Sequence, residues 1–244
     1  MNSLLDDFPV PKRVLPIIFI VETSGGMSGE RIDEVNKAIK NALLVFQEVS
    51  EKNADAEIKV AILEYGSGAR WMYDELKAIP EFEFLDLQAS GLVDFGEALT
   101  MLNEKLSRKT GFLNIPTGCY APILILINLR GFTDNWQSAL ESLKPNKWFE
   151  ASLKLGINID SEEEKQIKSF TGSYQSVVKL HSANLESFFN RLPLLLNLFV
   201  GGRMSNPNLK PGYTTQDELN YYIKEIADTI DGVSIASDLN ESTN

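Results

Sequence analysis

Residues 15–29 read L-P-I-I-F-I-V-E-T-S-G-G-M-S-G, an uninterrupted apolar run that leads directly into a turn of serines and glycines. A run of this kind, bounded by turn residues, is typical of a strand that is buried on both faces of a parallel sheet. The strand ends at Glu22, and a carboxylate is costly to bury without partners. The stretch indicates an α/β fold and raises the question of what Glu22 does there.

Apolar runs and helical stripes alternate along the rest of the chain. Strands are predicted at residues 14–22, 57–65, 121–129, 149–157 and 177–180, with an antiparallel neighbour at 71–76. Helical spacing of apolar residues predicts helices that begin near residues 30, 93, 136, 161 and 184, the fourth capped by Asp160 and Ser161. This alternation predicts a three-layer, doubly wound α/β fold, with helices on both faces of a mostly parallel central sheet, and 121–129 at its centre.

The composition changes towards the carboxyl end of the chain. We expect an N-terminal extension at 1–13, one domain at 14–202, and a segment at 203–244 that holds a Pro- and Asn-rich linker, an amphipathic helix and a disordered tail. Thr215 and Glu218 have the spacing of a capping box at the start of that helix. The helix at 215–231 either folds back on its own domain or binds a groove in another protein, and the sequence leaves both open.

Charge and composition exclude several classes of function. The formal net charge of −11 argues against a nucleic-acid partner, because such binding needs clustered Lys and Arg. No apolar run is long enough to span a membrane and the first residues lack a signal-peptide layout, so we expect a cytoplasmic protein without membrane contact. One cysteine and one histidine, His181, are too few for a structural zinc site.

Three motifs at predicted strand ends and helix starts resemble those of von Willebrand factor A (vWA) domains. They are E-T-S-G-G-M-S-G at 22–29, G-L-V-D-F-G-E-A-L at 91–99 and N-L-R-G-F-T-D-N-W at 128–136. The resemblance covers residues 15 to 192, and T-D-N-W-Q-S-A-L at 133–140 makes it closest to the TerY-like branch of tellurium-resistance and stress genes. It implies a vWA fold that carries a metal-ion-dependent adhesion site.

The metal site that this resemblance implies is degenerate. The family pattern has an Asp, two Ser, a Thr and a second Asp as oxygen ligands for Mg²⁺ or a similar ion. Here Glu22 replaces the first Asp, Ser24 is unchanged, Gly26 replaces the second Ser, Val93 replaces the Thr, and Leu129 replaces the second Asp. We therefore expect a loop that has kept its backbone shape, binds no metal and needs no cofactor.

The remaining candidates surround these positions. A possible contact rim for a partner consists of Ser28, Asp94, Phe132 and Asp134, and Val93, Leu129 and Phe132 are expected to make the crevice apolar. Asp94 is not expected to replace the missing Thr ligand, since its side chain should point elsewhere. Two alternatives stay open: a divalent ion held by the residual candidates Glu22 and Ser24, and a small anion bound by backbone N–H groups at 24–29.

An enzymatic function is not expected. A Ser-His-Asp arrangement would have to use His181, the single histidine, which follows a predicted strand and is interpreted as a surface or cap residue. The sequence thus favours a non-enzymatic scaffold or adaptor in a bacterial stress or signalling system. The TerY-like resemblance implies protein partners such as a Ser/Thr kinase, a PP2C-type phosphatase or an AAA+ ATPase.

Overall fold

The computed structural model describes residues 11–192 and 214–237, and its centre is one mixed sheet. The strands are β1 (Arg13–Glu22), β2 (Ala56–Gly66), β3 (Gly68–Trp71), β4 (Lys77–Ala78), β5 (Ile123–Asn128), β6 (Leu153–Ile159), β7 (Val177–Leu180) and β8 (Ser234–Ile235). Their order is β3-β2-β1-β5-β6-β7-β8, with β4 paired to β2. The five strands β2, β1, β5, β6 and β7 are parallel to one another. The short strands β3 and β4 pair antiparallel with β2 on one side of the sheet, and β8 pairs antiparallel with β7 on the other.

Helices cover both faces of this sheet, which confirms the predicted three-layer α/β fold. They are α1 (Glu30–Lys52), α2 (Phe95–Lys105), α3 (Trp136–Leu143), α4 (Lys147–Ala151), α5 (Glu164–Thr171), α6 (Leu185–Phe189) and α7 (Thr215–Ala227). One core cluster includes buried side chains of α1, α6 and α7, and the other includes those of α2, α3 and α5. Strands β1 and β5 are buried along almost their whole length because they lie between these two cores.

Two predicted strand boundaries need correction. Residues 149–151 belong to α4 instead of a strand, because the Asn146 side chain accepts hydrogen bonds from the backbone N–H groups of Trp148 and Phe149 and starts a helix there. The antiparallel neighbour of β2 begins at Gly68 and ends at Trp71, earlier than expected. Both differences arise from local turn chemistry that a hydrophobic pattern does not register.

The start of α5 also differs from the prediction. The helix begins at Glu164, and the residue before it makes no side-chain capping bond. Asp160 instead adopts a left-handed backbone conformation (φ 49°), and its carboxylate faces Arg31 and His181. The predicted cap is therefore wrong, since the carboxylate of Asp160 is used in a tertiary ion-pair cluster.

The C-terminal helix folds back on its own domain, which answers the question that the sequence left open. The capping box is formed by Thr214 and Asp217, one residue earlier than expected. Leu219, Ile223 and Ile226 are buried in the core, and β8 pairs with β7. The linker at 203–213 and the tail at 238–244 lie outside the described residues, so the proposed domain limits stay predictions.

Candidate functional site

Polar residues form a row across the carboxyl edge of the sheet. Glu22 of β1 is opposite Tyr65 of β2, and on the other side Asn158 of β6 is opposite both Asn128 of β5 and Lys179 of β7. Because loops at the carboxyl ends of parallel strands form the crevice of open α/β sheets, this row lies directly below the candidate site. The sequence motifs at 22–29, 91–99 and 128–136 all meet at this edge.

Glu22 is fully buried, with 0% of its surface exposed, and its carboxylate is bound from within the chain. The Ser24 hydroxyl donates to its Oε1 atom at 2.5 Å, and the backbone N–H groups of Leu129 and Arg130 donate to Oε2 at 2.7 and 3.0 Å. Three donors satisfy a buried charge that would otherwise be strongly destabilising. Glu22 thus joins the end of β1 to the loop that follows β5.

Tyr65 lies beside this carboxylate. Burial raises the pKa of Tyr65 well above its ordinary value, and the charges of Glu22 and Asp134 raise this pKa further. The phenol therefore keeps its proton and donates to Asn128 Oδ1 at 2.7 Å, while Asn128 Nδ2 donates to the carbonyl of Arg130 at 2.7 Å. These bonds fix the loop after β5 from a second direction.

The turn at 24–29 uses its own backbone N–H groups. Gly25 donates to the Gly91 carbonyl at 3.0 Å, Gly26 to Ser24 Oγ at 3.3 Å, Met27 to the Ser24 carbonyl at 2.9 Å, and Ser28 to the Gly25 carbonyl at 3.3 Å. An anion cradle needs such donors to be free and to converge on the ligand. This hydrogen bonding argues against the small-anion alternative.

Gly26 is packed against the side chain of Arg130. A Cβ atom at position 26 would lie 2.2 Å from the Nε atom of Arg130 and 2.7 Å from its Cζ atom. A serine in this position would therefore require Arg130 to move. Glycine at position 26 lacks the hydroxyl of the metal-site pattern, and it also leaves the space that the Arg130 guanidinium occupies.

The expected apolar crevice is not exposed. Val93, Leu129 and Phe132 are each only 6% exposed, and the Phe132 ring stacks on Phe95 with centroids 3.9 Å apart. These side chains complete the core under the loops, so the surface that a partner would meet is different. The apolar residue that is exposed here is Leu92, at 74%, next to Val93.

The other three residues of the predicted contact rim, Ser28, Asp94 and Asp134, differ in exposure and in their hydrogen bonds. Ser28 is exposed, whereas Asp94 and Asp134 are half-buried. Asp94 Oδ2 accepts from the Gly68 N–H at 2.7 Å and so holds the turn between β2 and β3, which agrees with the expectation that its side chain points away. Asp134 Oδ2 accepts from the Gly96 N–H at 2.6 Å in the first turn of α2.

The donor set does not fit a divalent ion. Val93 and Leu129 contribute hydrocarbon, both oxygens of Glu22 already accept hydrogen bonds, and the Ser24 hydroxyl donates to Glu22. Within the described residues, no group of three or more His, Cys, Asp and Glu side chains could hold a metal ion. Mg²⁺ demands near-ideal octahedral oxygen coordination, which this arrangement does not offer.

Sequence reasoning missed a charged cluster beside the site. Arg31 Nε lies 3.2 Å from Asp160 Oδ2, its Nη1 donates to the Gly26 carbonyl at 3.3 Å, and His181 Nδ1 lies 2.5 Å from Asp160 Oδ1. His181 is a surface residue, as expected, with its side chain 77% exposed. It stands at the N-cap position of a short 3₁₀ helix without a side-chain capping bond, and it lies at the same edge of the sheet as the site. The position of Asp160 directly after β6 could have indicated this cluster.

Comparison with known proteins identifies the fold. No family model matches the sequence, and the comparison with curated proteins found no match. Solved structures do match: proximal thread matrix protein 1 from the mussel byssus (14% identity, TM-score 0.57, 78% of this chain and 49% of that one) and a von Willebrand factor type A protein from Catenulispora acidiphila (17%, 0.52, 74% and 42%). The pilus adhesin SpaC from Lactobacillus rhamnosus GG also matches (11%, 0.57, 77% and 31%).

These similarities show that the chain has the vWA fold. The chain spans half or less of the length of each of these structures. One structure of the mussel protein is described as having a zinc-occupied metal-ion-dependent adhesion motif. Among the described residues, no helix combines the length and apolarity that crossing a membrane requires.

Proposed function

We propose that this chain is a non-enzymatic protein-interaction module of vWA type whose adhesion site works without a metal ion. The observation that carries the proposal is the binding of the Glu22 carboxylate by Ser24, Leu129 and Arg130. In this arrangement the carboxylate has a structural role and holds two loops together, and is not directed to an ion or a substrate.

The exposed part of the site favours a protein partner. Leu92 projects from the loop at 91–94, and Arg130 is exposed on the adjacent loop. In the part of the chain that the structure describes, His181 has Asp160 as its hydrogen-bonding partner and no hydroxyl or thiol nucleophile bound to it. A surface with an exposed apolar residue and no assembled nucleophile is suited to binding instead of catalysis.

The finer assignment follows the TerY-like resemblance. On that resemblance we propose a cytoplasmic scaffold or adaptor in a stress or signalling system, with a Ser/Thr kinase, a PP2C-type phosphatase or an AAA+ ATPase as candidate partners. The vWA fold supports this assignment, as does the T-D-N-W-Q-S-A-L motif at 133–140, which runs from the loop before α3 into that helix.

Site-specific photocrosslinking tests the proposal. A photoreactive amino acid at Leu92 should crosslink a partner in the cells from which the protein comes, whereas the same group at Leu44 on α1, also exposed at 64%, should not. Equal crosslinking from both positions, or none from Leu92, would count against a binding surface at this edge.

A calorimetric titration with Mg²⁺ and Mn²⁺ tests the absence of a metal. The wild-type protein should show no saturable heat and no gain in melting temperature, because the ligand positions are hydrocarbon or already hydrogen-bonded. Binding that disappears in Glu22→Gln, a variant that keeps an acceptor for the two backbone N–H groups, would overturn the metal-free site.

A further inference from the structure

The guanidinium of Arg130 has no partner among the described residues, and in this it differs from the other described arginines. Those bind a carbonyl, a carboxylate or an aromatic ring: Arg13 with Cys119 and Tyr120, Arg31 with Asp160, Arg70 with Glu64, Arg108 with Trp148, and Arg191 with Ser187. A free arginine is unexpected in a chain whose formal net charge is −11. Carboxylates are abundant, yet none in the described part of the chain meets Arg130.

The position of Arg130 is nevertheless well defined. Its backbone N–H is bound to Glu22 Oε2 and its carbonyl to Asn128 Nδ2, so the main chain is held at two points. Its side chain lies over Gly26, where the absence of a Cβ atom makes the space that the guanidinium fills. A charged group held in place in this way loses less conformational entropy on binding than a free surface arginine.

The surroundings of Arg130 define the chemistry that it could recognise. It lines an open cavity of about 620 Å³ with Arg31 and with two carboxylates, Asp160 and Glu163. Asp160 is already paired with Arg31 and His181, and the carboxylate of Glu163 lies beside Gly131, the residue after Arg130, in the same cavity. Arg130 is therefore the cationic group of this cavity that has no partner among the described residues, while Glu163 brings a negative charge to the same cavity.

An exposed apolar side chain, that of Leu92, lies on the other side of the turn at 24–29. The Gly91 carbonyl accepts from the Gly25 N–H at 3.0 Å, so exposed Leu92 is close to the turn that supports Arg130. A guanidinium can bind a carboxylate through two parallel hydrogen bonds, and a leucine can bury an apolar neighbour of that carboxylate.

We infer that Arg130 binds an acidic side chain of the protein partner, and that Leu92 packs against an apolar residue next to it. This inference rests on the proposed function and specifies the chemistry of the partner. A carboxylate on the partner would neutralise the one described guanidinium that has no partner among residues 11–192 and 214–237.

Peptide titration followed by NMR tests the inference. The probes are two blocked tetrapeptides, Ac-Gly-Leu-Glu-Gly-NH₂ and Ac-Gly-Leu-Gln-Gly-NH₂, with inorganic phosphate as a third ligand. The Nε–Hε signal of Arg130 should move saturably with the Glu peptide, which should bind at least about five-fold more tightly than the Gln peptide, since a charged hydrogen bond is roughly twice as strong as a neutral one.

Three variants make the result specific. Arg130→Gln removes the charge, and Gly26→Ala displaces the guanidinium while keeping the charge, so both should abolish the preference for Glu. Arg108→Gln removes an arginine that stacks on Trp148 and should leave the preference intact. Equal binding of the two peptides, no saturable shift, an unchanged preference in Arg130→Gln, or tighter binding of phosphate would overturn the inference.

Crosslinking from Leu92 separates this inference from the proposed function. A partner that still crosslinks with equal yield in the Arg130→Gln variant would leave the interaction module standing and remove the role of Arg130. Absence of any crosslink in the wild-type protein would remove the interaction site itself. A yield that falls at least about five-fold in Arg130→Gln would support both.

Discussion

Glu22 and Lys154 are two buried charged residues at opposite ends of the central strands, and their surroundings differ sharply. Glu22, at the carboxyl end of β1, accepts hydrogen bonds from three donors. Lys154, near the amino end of β6, donates to one carbonyl, that of Ser152 at 3.0 Å, and its Nζ atom lies 4.5 Å from the Phe149 ring centroid. Burial lowers the pKa of Lys154 to about 8.

The difference shows where the fold uses a buried charge and where it tolerates one. At the carboxyl edge, the charge of Glu22 organises the loops that form the candidate site. At the amino edge, the long apolar stem of Lys154 fills space while its ammonium group is poorly compensated. We therefore expect opposite effects on stability when the two charges are removed.

Replacing Glu22 should have the largest effect. Glu22→Ala leaves the hydroxyl of Ser24 and the N–H groups of Leu129 and Arg130 without an acceptor, so the free energy of unfolding should fall by about 3 kcal/mol. Urea denaturation measures the change. Glu22→Gln should lose less than half as much, because its amide oxygen can still accept from both backbone N–H groups.

An equal loss in both Glu22 variants would mean that the charge, and not the hydrogen bonds, holds the loops. A loss below about 1 kcal/mol in Glu22→Ala would contradict the structural role of this carboxylate altogether.

Removing the charge of Lys154 should change the pH dependence of stability. Its pKa is lowered from 10.5 to about 8 in the folded protein, so between these values the unfolded chain binds more protons than the folded one. Stability should therefore rise with pH in this window, by about 2 kcal/mol between roughly pH 7.5 and 9.5. Lys154→Met should be more stable than the wild type at neutral pH and should lack this rise.

Subtracting the pH profile of Lys154→Met from that of the wild type isolates the contribution of Lys154 to stability. Burial also raises the pKa values of Cys119 and Tyr65, which lowers stability at high pH, but it does so equally in the wild type and in Lys154→Met. Parallel pH profiles of the two proteins would show that the ammonium group of Lys154 is better solvated than its position indicates.

The smallest of the three effects concerns the residue that pairs with the main chain of Lys154. The Gln216 side chain accepts from the Lys154 N–H and donates to the Lys154 carbonyl, both at 2.9 Å. Gln216→Ala should reduce the free energy of unfolding by about 1–2 kcal/mol, measured by thermal or urea denaturation. Gln137→Ala, on the exposed side of α3, should cost at most about 0.5 kcal/mol. Similar losses for both variants would rule out a specific role of Gln216.

The sequence predicted the fold because its signals were periodic and local. The apolar runs that became β1, β2 and β5, and the stripe in α1 from Ile32 to Val49, depend on burial, which a single chain encodes directly. Errors occurred where a side chain determined a boundary, as Asn146 does for α4. A resemblance in motifs such as T-D-N-W also does not indicate which side chains are exposed, and Val93, Leu129 and Phe132 are buried.

The site was only partly predictable for a different reason. The prediction that Val93 and Leu129 replace oxygen ligands needs only the resemblance of the motifs, whereas the hydrogen bonds that Glu22 accepts from the N–H groups of Leu129 and Arg130 join positions 107 and 108 residues apart. The placement of Arg130 over Gly26 likewise depends on two loops that meet only in the folded chain. Periodicity contains no information about such contacts.

The side-chain amide of Gln216 makes the two hydrogen bonds to the main chain of β6 that a neighbouring strand would otherwise make. Strand β7 begins at Val177 opposite Gly156, so the main chain of Lys154 lies beyond its reach and would present unpaired groups at an open sheet edge. Open edges of this kind are templates for the addition of strands from other molecules. The C-terminal segment covers this edge of β6 with the Gln216 side chain, and it covers β7 with the antiparallel strand β8. In this way it protects the domain against edge-to-edge aggregation.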